Sequence, residues 1–239
     1  MNMDESAKQV ILERAKSWFK EEIIVNHKKN IRKLKKSKEL DINPFLVSYL
    51  SSFFPGEKKS RAVAKALLYP RVLGTSIVTS LGGRMQNFAS AVLGSTFPSL
   101  ISGLDIEFVD QVDEIRKYCQ LKLGPNTLNT GDVQTIHGHF STAVRLARTN
   151  NLRIPSTDFV VGVLFGETQD VNGSYKQLQN EFHYTLLVGK DFWHHLTGDE
   201  QFFYELFGVI RLSAQEDEVA QILEETIEAL SREPEIQKF

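Results

Sequence analysis

Two short segments in the middle of the chain carry side chains whose types and spacing suit metal-dependent hydrolysis. The first contains Asp105 and Glu107, and the second contains Gln120 and Lys122. In both segments polar and apolar residues alternate, which predicts half-buried β-strands. Because alternate residues of a strand share a face, the two acids point one way, and the amide and the amine likewise emerge together. If the two strands pair, two carboxylates, an amide oxygen and an ammonium meet.

This set of groups meets the requirements of phosphodiester hydrolysis. Magnesium prefers oxygen ligands and is usually held by one or two carboxylates together with waters and phosphate oxygens. A bound metal lowers the pKa of its water and neutralises charge on a phosphate. A lysine can orient the attacking water or stabilise the transition state. Acid-rich strand edges and terminal lysines are also common on solvated faces, so spacing alone leaves both interpretations open.

Longer stretches of the sequence resemble a known family. The pattern Asp105, a spacer and Gln120-x-Lys122 resembles the catalytic core of the PD-(D/E)xK nuclease superfamily. The string Gln-Leu-Lys-Leu-Gly-Pro-Asn-Thr-Leu-Asn that begins at Gln120 is similar to a stretch in type II restriction endonucleases. Further segments resemble the restriction enzymes that cut GGNCC-type sites, namely residues 43–46, 68–77, 82–86 and 189–198.

The resemblance implies a fold, an activity and a set of roles. The fold would be α/β, with a central mixed sheet flanked by helices and a helical N-terminal region. The activity would be that of a type II site-specific deoxyribonuclease, with Asp105, Gln120 and Lys122 as catalytic residues. Mg²⁺ would be held by Asp105 and Gln120, with Glu107 as a further ligand. The superfamily more often has Asp or Glu at the position of Gln120, and Glu107 is the candidate for the missing negative charge.

Candidate DNA contacts lie in the loop after Lys122 and on two arginines. Asn and Thr side chains can read base edges or bind phosphate, and arginine donates a planar fork to phosphate oxygens. The candidates are Asn126, Thr127, Asn129, Thr130, Arg71 and Arg84. The alternative for the loop is that its Asn and Asp side chains only cap turns, with Asp132 capping the helix that follows.

The net charge of −2 conceals a segregated charge distribution. Residues 27–38 form a basic run, and residues 215–235 are acidic. The basic run could contact phosphates or could simply be a solvated helix face, and the sequence leaves both open.

The resemblance implies that the enzyme cuts both strands of a short palindromic site, which is expected to be GGNCC-like. Such cleavage requires two active sites related by a two-fold axis, so a homodimer on double-stranded DNA is predicted. A cognate DNA methyltransferase is expected in the same restriction-modification system. Two alternatives remain: a repair or junction nuclease with the same core, and a DNA-binding protein without catalysis.

Length and composition predict one domain over residues 1–239, and the resemblance implies that it is a nuclease domain. Its parts would be a helical region (1–70), a catalytic core (71–200) and C-terminal helices (201–239). The hydrophobic fraction of 41% and the charged fraction of 24% are those of a globular protein. The single cysteine, Cys119, is expected to face the core, and no disulfide can form within the chain, which fits a cytoplasmic protein. The polar, acidic N-terminus does not resemble a signal peptide.

The periodicity of the remaining sequence predicts helices over residues 7–36 and 133–148, and strands over 159–165 and 182–188. Asn43 is expected to begin a helix at Pro44, and Pro70 is expected to break the next one. The two histidine pairs, His137-x-His139 and His194-His195, lack the second ligand cluster that a structural zinc site needs.

Overall fold

The computed structural model describes residues 4–93, 97–215 and 218–239. The chain divides into two compact units, each assembled from separate stretches of sequence. The first unit contains residues 1–16 and 85–209, and the second contains residues 17–84 and 210–239. The predicted organisation as one nuclease domain stays a prediction.

Four strands form the sheet of the first unit: β1 (Ile106–Val109), β2 (Arg116–Lys122), β3 (Phe159–Val163) and β4 (Thr185–Val188). They lie in chain order across the sheet. β1 is antiparallel to β2, whereas β3 and β4 continue in parallel. All four segments were predicted as strands, and the mixed sheet confirms the predicted fold class.

One face of this sheet is covered by α6 (Thr130–Thr149) and α7 (Gly173–Phe182). Their apolar residues form one buried core with Val161, Val163 and Val188 of the sheet. The opposite face carries Cys119, which is fully buried as predicted. Burial raises the pKa of the Cys119 thiol well above its usual range.

The opposite face also packs against α8 (Lys190–Thr197), where the rings of Phe108 and Phe192 meet edge to face. An N-terminal helix, α1 (Glu5–Trp18), contributes its first residues to the same unit. There the buried Lys8 ammonium contacts the carboxylates of Asp199 at 3.0 Å and Glu205 at 3.2 Å.

The second unit is helical. Its core joins residues of four helices, α2 (Val25–Lys33), α3 (Pro44–Ser51), α4 (Lys59–Pro70) and α10 (Val219–Ser231), with the short α11 (Pro234–Gln237). At its surface, Arg61 of α4 pairs with Glu224 and Glu228 of α10. The remaining long helices are α5 (Ile77–Phe88) and α9 (Phe202–Gln215).

Helix boundaries confirm some predictions and contradict one. The Asn43 side chain accepts hydrogen bonds from the N–H groups of Phe45 and Leu46, so it caps α3 as predicted. The predicted break at Pro70 is wrong, because helical backbone continues as a π-helical turn over Arg71–Ser76. Proline lacks the backbone N–H of a regular helical turn, and the backbone directly after Pro70 takes the wider π-helical form.

No helix within the described ranges is both long enough and apolar enough to span a bilayer.

Candidate active site

Asp105 lies immediately before β1 and is bound to β2 through both its backbone and its side chain. Its N–H donates to the carbonyl of Cys119 at 3.0 Å. Its Oδ2 accepts a hydrogen bond from the N–H of Leu121 at 2.7 Å. Leu121 stands between Gln120 and Lys122, so the carboxylate borders the predicted amide and amine.

The environment of Asp105 alters its acidity. Burial raises the pKa of this carboxyl above its ordinary value. The Leu121 hydrogen bond and the charges of Lys122 and His139 act in the opposite direction but do not cancel the effect of burial. A half-buried carboxylate whose charge is only partly compensated is suited to binding a cation, because the cation would supply the missing stabilisation.

Gln120 presents an oxygen that lacks a partner. Its Oε1 is buried and accepts no hydrogen bond from any described residue. Leaving a buried carbonyl oxygen unsatisfied costs about 1–3 kcal/mol, so such a group calls for an explanation. A Mg²⁺ ion would accept this oxygen as a ligand, and the residues present therefore fit the predicted metal.

Lys122 emerges on the same face as Gln120, two residues further along β2. Its side chain is 18% exposed, and its Nζ lies 3.7 Å from Oδ1 of Asp132 in the first turn of α6. Asp132 also accepts a 3.0 Å hydrogen bond from the N–H of Asn129 through its other oxygen. The sequence prediction considered Asp132 only as a helix cap.

Glu107 pairs with Tyr118 in the β1–β2 register and thus shares the face of Gln120 and Lys122. Its Oε1 accepts hydrogen bonds from Ser99 and from the N–H of Leu100. Its Oε2 lies 3.3 Å from Arg116. Both oxygens already have partners, so binding of magnesium by Glu107, which stays a prediction, would require exchange of these bonds.

The loop after Lys122 is hydrogen-bonded to α7 and to the N-cap residue of that helix. Tyr175 donates to the carbonyl of Gly124 at 2.7 Å, and the Asn172 side chain donates to the carbonyl of Leu128 at 2.8 Å. Burial raises the pKa of Tyr175 to about 12, so its hydroxyl remains a donor at neutral pH. Neither Asn172 nor Tyr175 was identified from sequence. A single polar residue at a helix start and one buried tyrosine carry no distinctive pattern.

The predicted DNA-contact residues of this loop differ in how far their side chains are already engaged. Asn126 and Thr130 are exposed. Thr127 donates its hydroxyl to the carbonyl of Gly124 at 2.9 Å. Asn129 is the N-cap of α6, and its Oδ1 accepts from the N–H groups of Gly131 and Asp132.

The segment that begins at Gly189 resembles a family motif, and its glycine has a structural reason. Gly189 has a positive φ of 55°, and a Cβ there would lie 2.2 Å from the carbonyl oxygen of Gly166. Only glycine permits this approach. Gly166 follows β3 and Gly189 follows β4. Their close approach therefore lies at the carboxyl ends of the parallel strands, where Lys122 ends β2.

His139 is a residue of the site that the sequence analysis considered only as a zinc ligand. Its ring packs so closely on Gly103 that a Cβ there would lie 2.6 Å from the ring Cγ. Its Nδ1 is buried without a hydrogen-bond partner in the described structure. His139 follows Asp132 by seven residues, and that helical spacing is the signal that places both on one face of α6.

The predicted arginines belong to the other compact unit. Arg71 is exposed, whereas Arg84 pairs with Glu22. The basic run also lies there, and two of its members are committed to the interior: His27 is buried against the carbonyl of Val72 at 3.1 Å, and Ile31 is in the core. Its exposed cations are Lys29, Arg32, Lys33, Lys36 and Lys38.

The described residues contain no group of three or more His, Cys, Asp or Glu side chains arranged to hold a metal ion. Protein ligands for magnesium would therefore be few: the Asp105 carboxylate and the Gln120 amide oxygen. Magnesium sites commonly have this composition, with water and substrate phosphate completing the shell.

A mixed sheet with helices on both faces, with Asp105 just before β1 and with Gln120 and Lys122 on β2, is the arrangement that the resemblance to PD-(D/E)xK nucleases predicts. The family model described as type II restriction endonuclease EcoO109I matches residues 13–218, and the chain belongs to this family. Comparison with curated proteins found no match. The protein is thus a type II site-specific deoxyribonuclease that acts on double-stranded DNA, which selects one of the three functions that the sequence left open.

Proposed function

We propose that this enzyme hydrolyses phosphodiesters in both strands of a short palindromic DNA site in a Mg²⁺-dependent reaction. The observation that carries the proposal is the hydrogen bond from the Leu121 N–H to the Asp105 carboxylate, together with a buried Gln120 oxygen that has no hydrogen-bond partner among the described residues. The family supports the class of reaction, and this arrangement supports its location.

Each residue has a distinct role in this proposal. Asp105 and Gln120 would hold Mg²⁺, and Glu107 would join them as a ligand only by exchanging its bonds to Ser99, Leu100 and Arg116. Magnesium supplies a more acidic bound water and neutralises charge on the scissile phosphate. Lys122 orients the attacking water through its ammonium. As the water oxygen bonds to phosphorus and loses its proton to solvent, the bond to the leaving sugar oxygen breaks and that oxygen takes a proton from solvent. The ammonium offsets the charge that develops on the phosphate.

The DNA sequence that the enzyme recognises is GGNCC-like in this proposal, because the family resemblance suggests it. The enzyme acts as a homodimer. It would work in the cytoplasm alongside a cognate methyltransferase. The loop residues Asn126, Thr127, Asn129 and Thr130 border the DNA, while Arg71 and Arg84 contact phosphates.

A plasmid digest with and without Mg²⁺ tests the function. Discrete fragments that appear only with the metal, and whose ends share one sequence, are the expected result. Smearing, structure-dependent nicking or retarded but intact DNA would contradict it. Sedimentation of the enzyme with a duplex carrying one site should show two chains per duplex, and a monomer both free and on DNA would overturn the dimer.

A further inference from the structure

We propose that Asp132 is a positioning residue for Lys122, and that it supplies the carboxylate which Gln120 does not provide. This inference rests on the proposed function and adds a residue from α6 to a site otherwise built on β1 and β2.

The first argument is the inventory of charge. At the superfamily's usual acidic position this chain has a neutral amide, Gln120. Glu107 has both oxygens engaged by Ser99, Leu100 and Arg116. Of Asp105 and Glu107, Asp105 alone is left to face a divalent cation and a lysine. A second carboxylate would restore the balance of charge.

The second argument is geometry. Asn129 and Asp132 form a reciprocal capping box, in which each side chain accepts from the other's backbone N–H. The 3.0 Å hydrogen bond from the N–H of Asn129 occupies Oδ2 of Asp132. Oδ1 is thereby turned toward Lys122, whose Nζ is 3.7 Å away. The cap therefore does more than begin a helix, since it also holds a carboxylate beside the catalytic amine.

The third argument is the strength of that contact. At 3.7 Å the two groups form an ion pair but not a hydrogen bond. The ammonium keeps its donors available for water or phosphate, while the carboxylate restricts where the amine can go. The N-terminus of α6 carries a positive partial charge that would repel Lys122, and the intervening carboxylate offsets it.

The charge of Asp132 also affects Tyr175, which contacts the loop after Lys122. It acts with burial to raise the pKa of Tyr175, whose hydroxyl supports Gly124 two residues after Lys122. Asp132 thus faces the turn that follows Lys122, not open solvent alone.

The test removes the carboxylate at Asp132 and then restores one at position 120. Asp132→Asn keeps an oxygen that can accept from the N–H of Asn129, so the cap and the melting temperature should be retained. Its single-turnover cleavage with Mg²⁺ should fall by about 10- to 100-fold, as is typical when a group that orients a site is lost. The double variant Asp132→Asn/Gln120→Glu, which returns a carboxylate on β2, should recover most of the rate. Asp170→Asn, a change at an exposed acid of the same unit, is the matched control and should cleave normally.

A second readout does not need turnover. Calorimetric titration of Ca²⁺ into the enzyme with bound duplex should show weaker binding for Asp132→Asn and recovery in the double variant. Wild-type cleavage rate in Asp132→Asn, or loss of cleavage without recovery in the double variant, would overturn the inference. Failure of the proposed function would look different, because the wild-type enzyme itself would then not cleave.

Discussion

Asp105 accepts a 2.7 Å hydrogen bond at Oδ2 from the backbone N–H of Leu121, the residue between Gln120 and Lys122. This bond positions the carboxylate against the neighbouring strand before any ligand binds. It occupies one oxygen and partly offsets the rise in pKa that burial causes. The acid is consequently preorganised, which reduces the cost of assembling the site.

We expect Asp105→Ala to abolish cleavage while specific DNA binding is largely retained. The change removes a metal ligand but few DNA contacts. Cleavage of a labelled duplex with Mg²⁺, and binding of the same duplex with Ca²⁺, give the two measurements. Near-normal turnover would refute the metal assignment.

Lys122→Ala should lose at least 100-fold in the cleavage rate, since a positioned charge in a water-poor site contributes about 3 kcal/mol to the transition state. Ca²⁺ binding should persist, because lysine is not a ligand. A decrease of only a few-fold in single-turnover rate would leave Lys122 with a structural role.

Gln120 can be tested by a pair of substitutions of similar size. Gln120→Glu should keep activity or shift the preferred metal, whereas Gln120→Leu should be inactive because it removes the oxygen ligand. Cleavage rates across Mg²⁺ and Mn²⁺ concentrations would measure both effects. If the Leu variant cleaved normally, Gln120 would not be a ligand and Glu107 would become the next candidate.

The loop prediction concerns discrimination between DNA sequences. Asn126→Ala should weaken binding to the specific site more than to random DNA, by about 1–3 kcal/mol if the side chain reads a base. Arg71→Ala should weaken both equally and reduce the salt dependence. Asn180→Ala, at an exposed position of α7, is the control, and binding titrations at several salt concentrations make the comparison.

Asn129 needs a different substitution because it also caps α6. Asn129→Ala would remove the cap at a cost of about 1 kcal/mol, so a loss of binding could reflect a loss of fold. Asn129→Ser keeps an acceptor for the cap and removes the amide. Equal losses on specific and random DNA for Asn129→Ser would limit this residue to positioning the loop.

An ion pair between the half-buried His195 and the buried Asp110, in the compact unit that contains the sheet, makes the stability of the fold depend on pH. His195 Nδ1 lies 2.7 Å from Oδ2 of Asp110, which is 1% exposed. The hydrogen bond to Asp110 raises the pKa of His195. Burial would raise the pKa of Asp110, but hydrogen bonds from His195 and from the N–H of Val112 outweigh it, and the carboxyl pKa lies below its usual value.

The pair should therefore stabilise the fold most between the ordinary pKa of aspartate and that of histidine, roughly pH 4 to 6.5. The histidine contribution is lost as pH rises through its raised folded-state pKa, and the aspartate contribution is lost as pH falls through its lowered one. His195→Gln should cost about 2 kcal/mol near pH 5.5 and less at pH 9. Urea unfolding at both pH values measures this, and a cost independent of pH would contradict the ion pair.

The sequence by itself located the four strands and determined which of their residues share a face, but it placed their ends incorrectly. The predicted strand over 159–165 ends at Val163, and the one over 182–188 begins at Thr185 because Phe182 still belongs to α7. Alternation placed Gln120 and Lys122 on one face and Cys119 on the other, because the two-residue period of a strand is a local property. The cap at Asn43 was likewise readable, since an Asn-Pro pair satisfies a helix start within a few residues.

Only the tertiary structure decided what surrounds those residues. The engagement of Glu107 by Ser99 and Arg116, and the approach of Asp132 to Lys122, join residues of different elements and leave no periodic trace. The helix continued past Pro70 for a similar reason: a lost backbone hydrogen bond costs a limited amount, and burial of neighbours such as Leu68 and Val72 in the helical core can exceed it. Local conformational preference determines the helices and strands, and the free energy of packing determines which residues they contact.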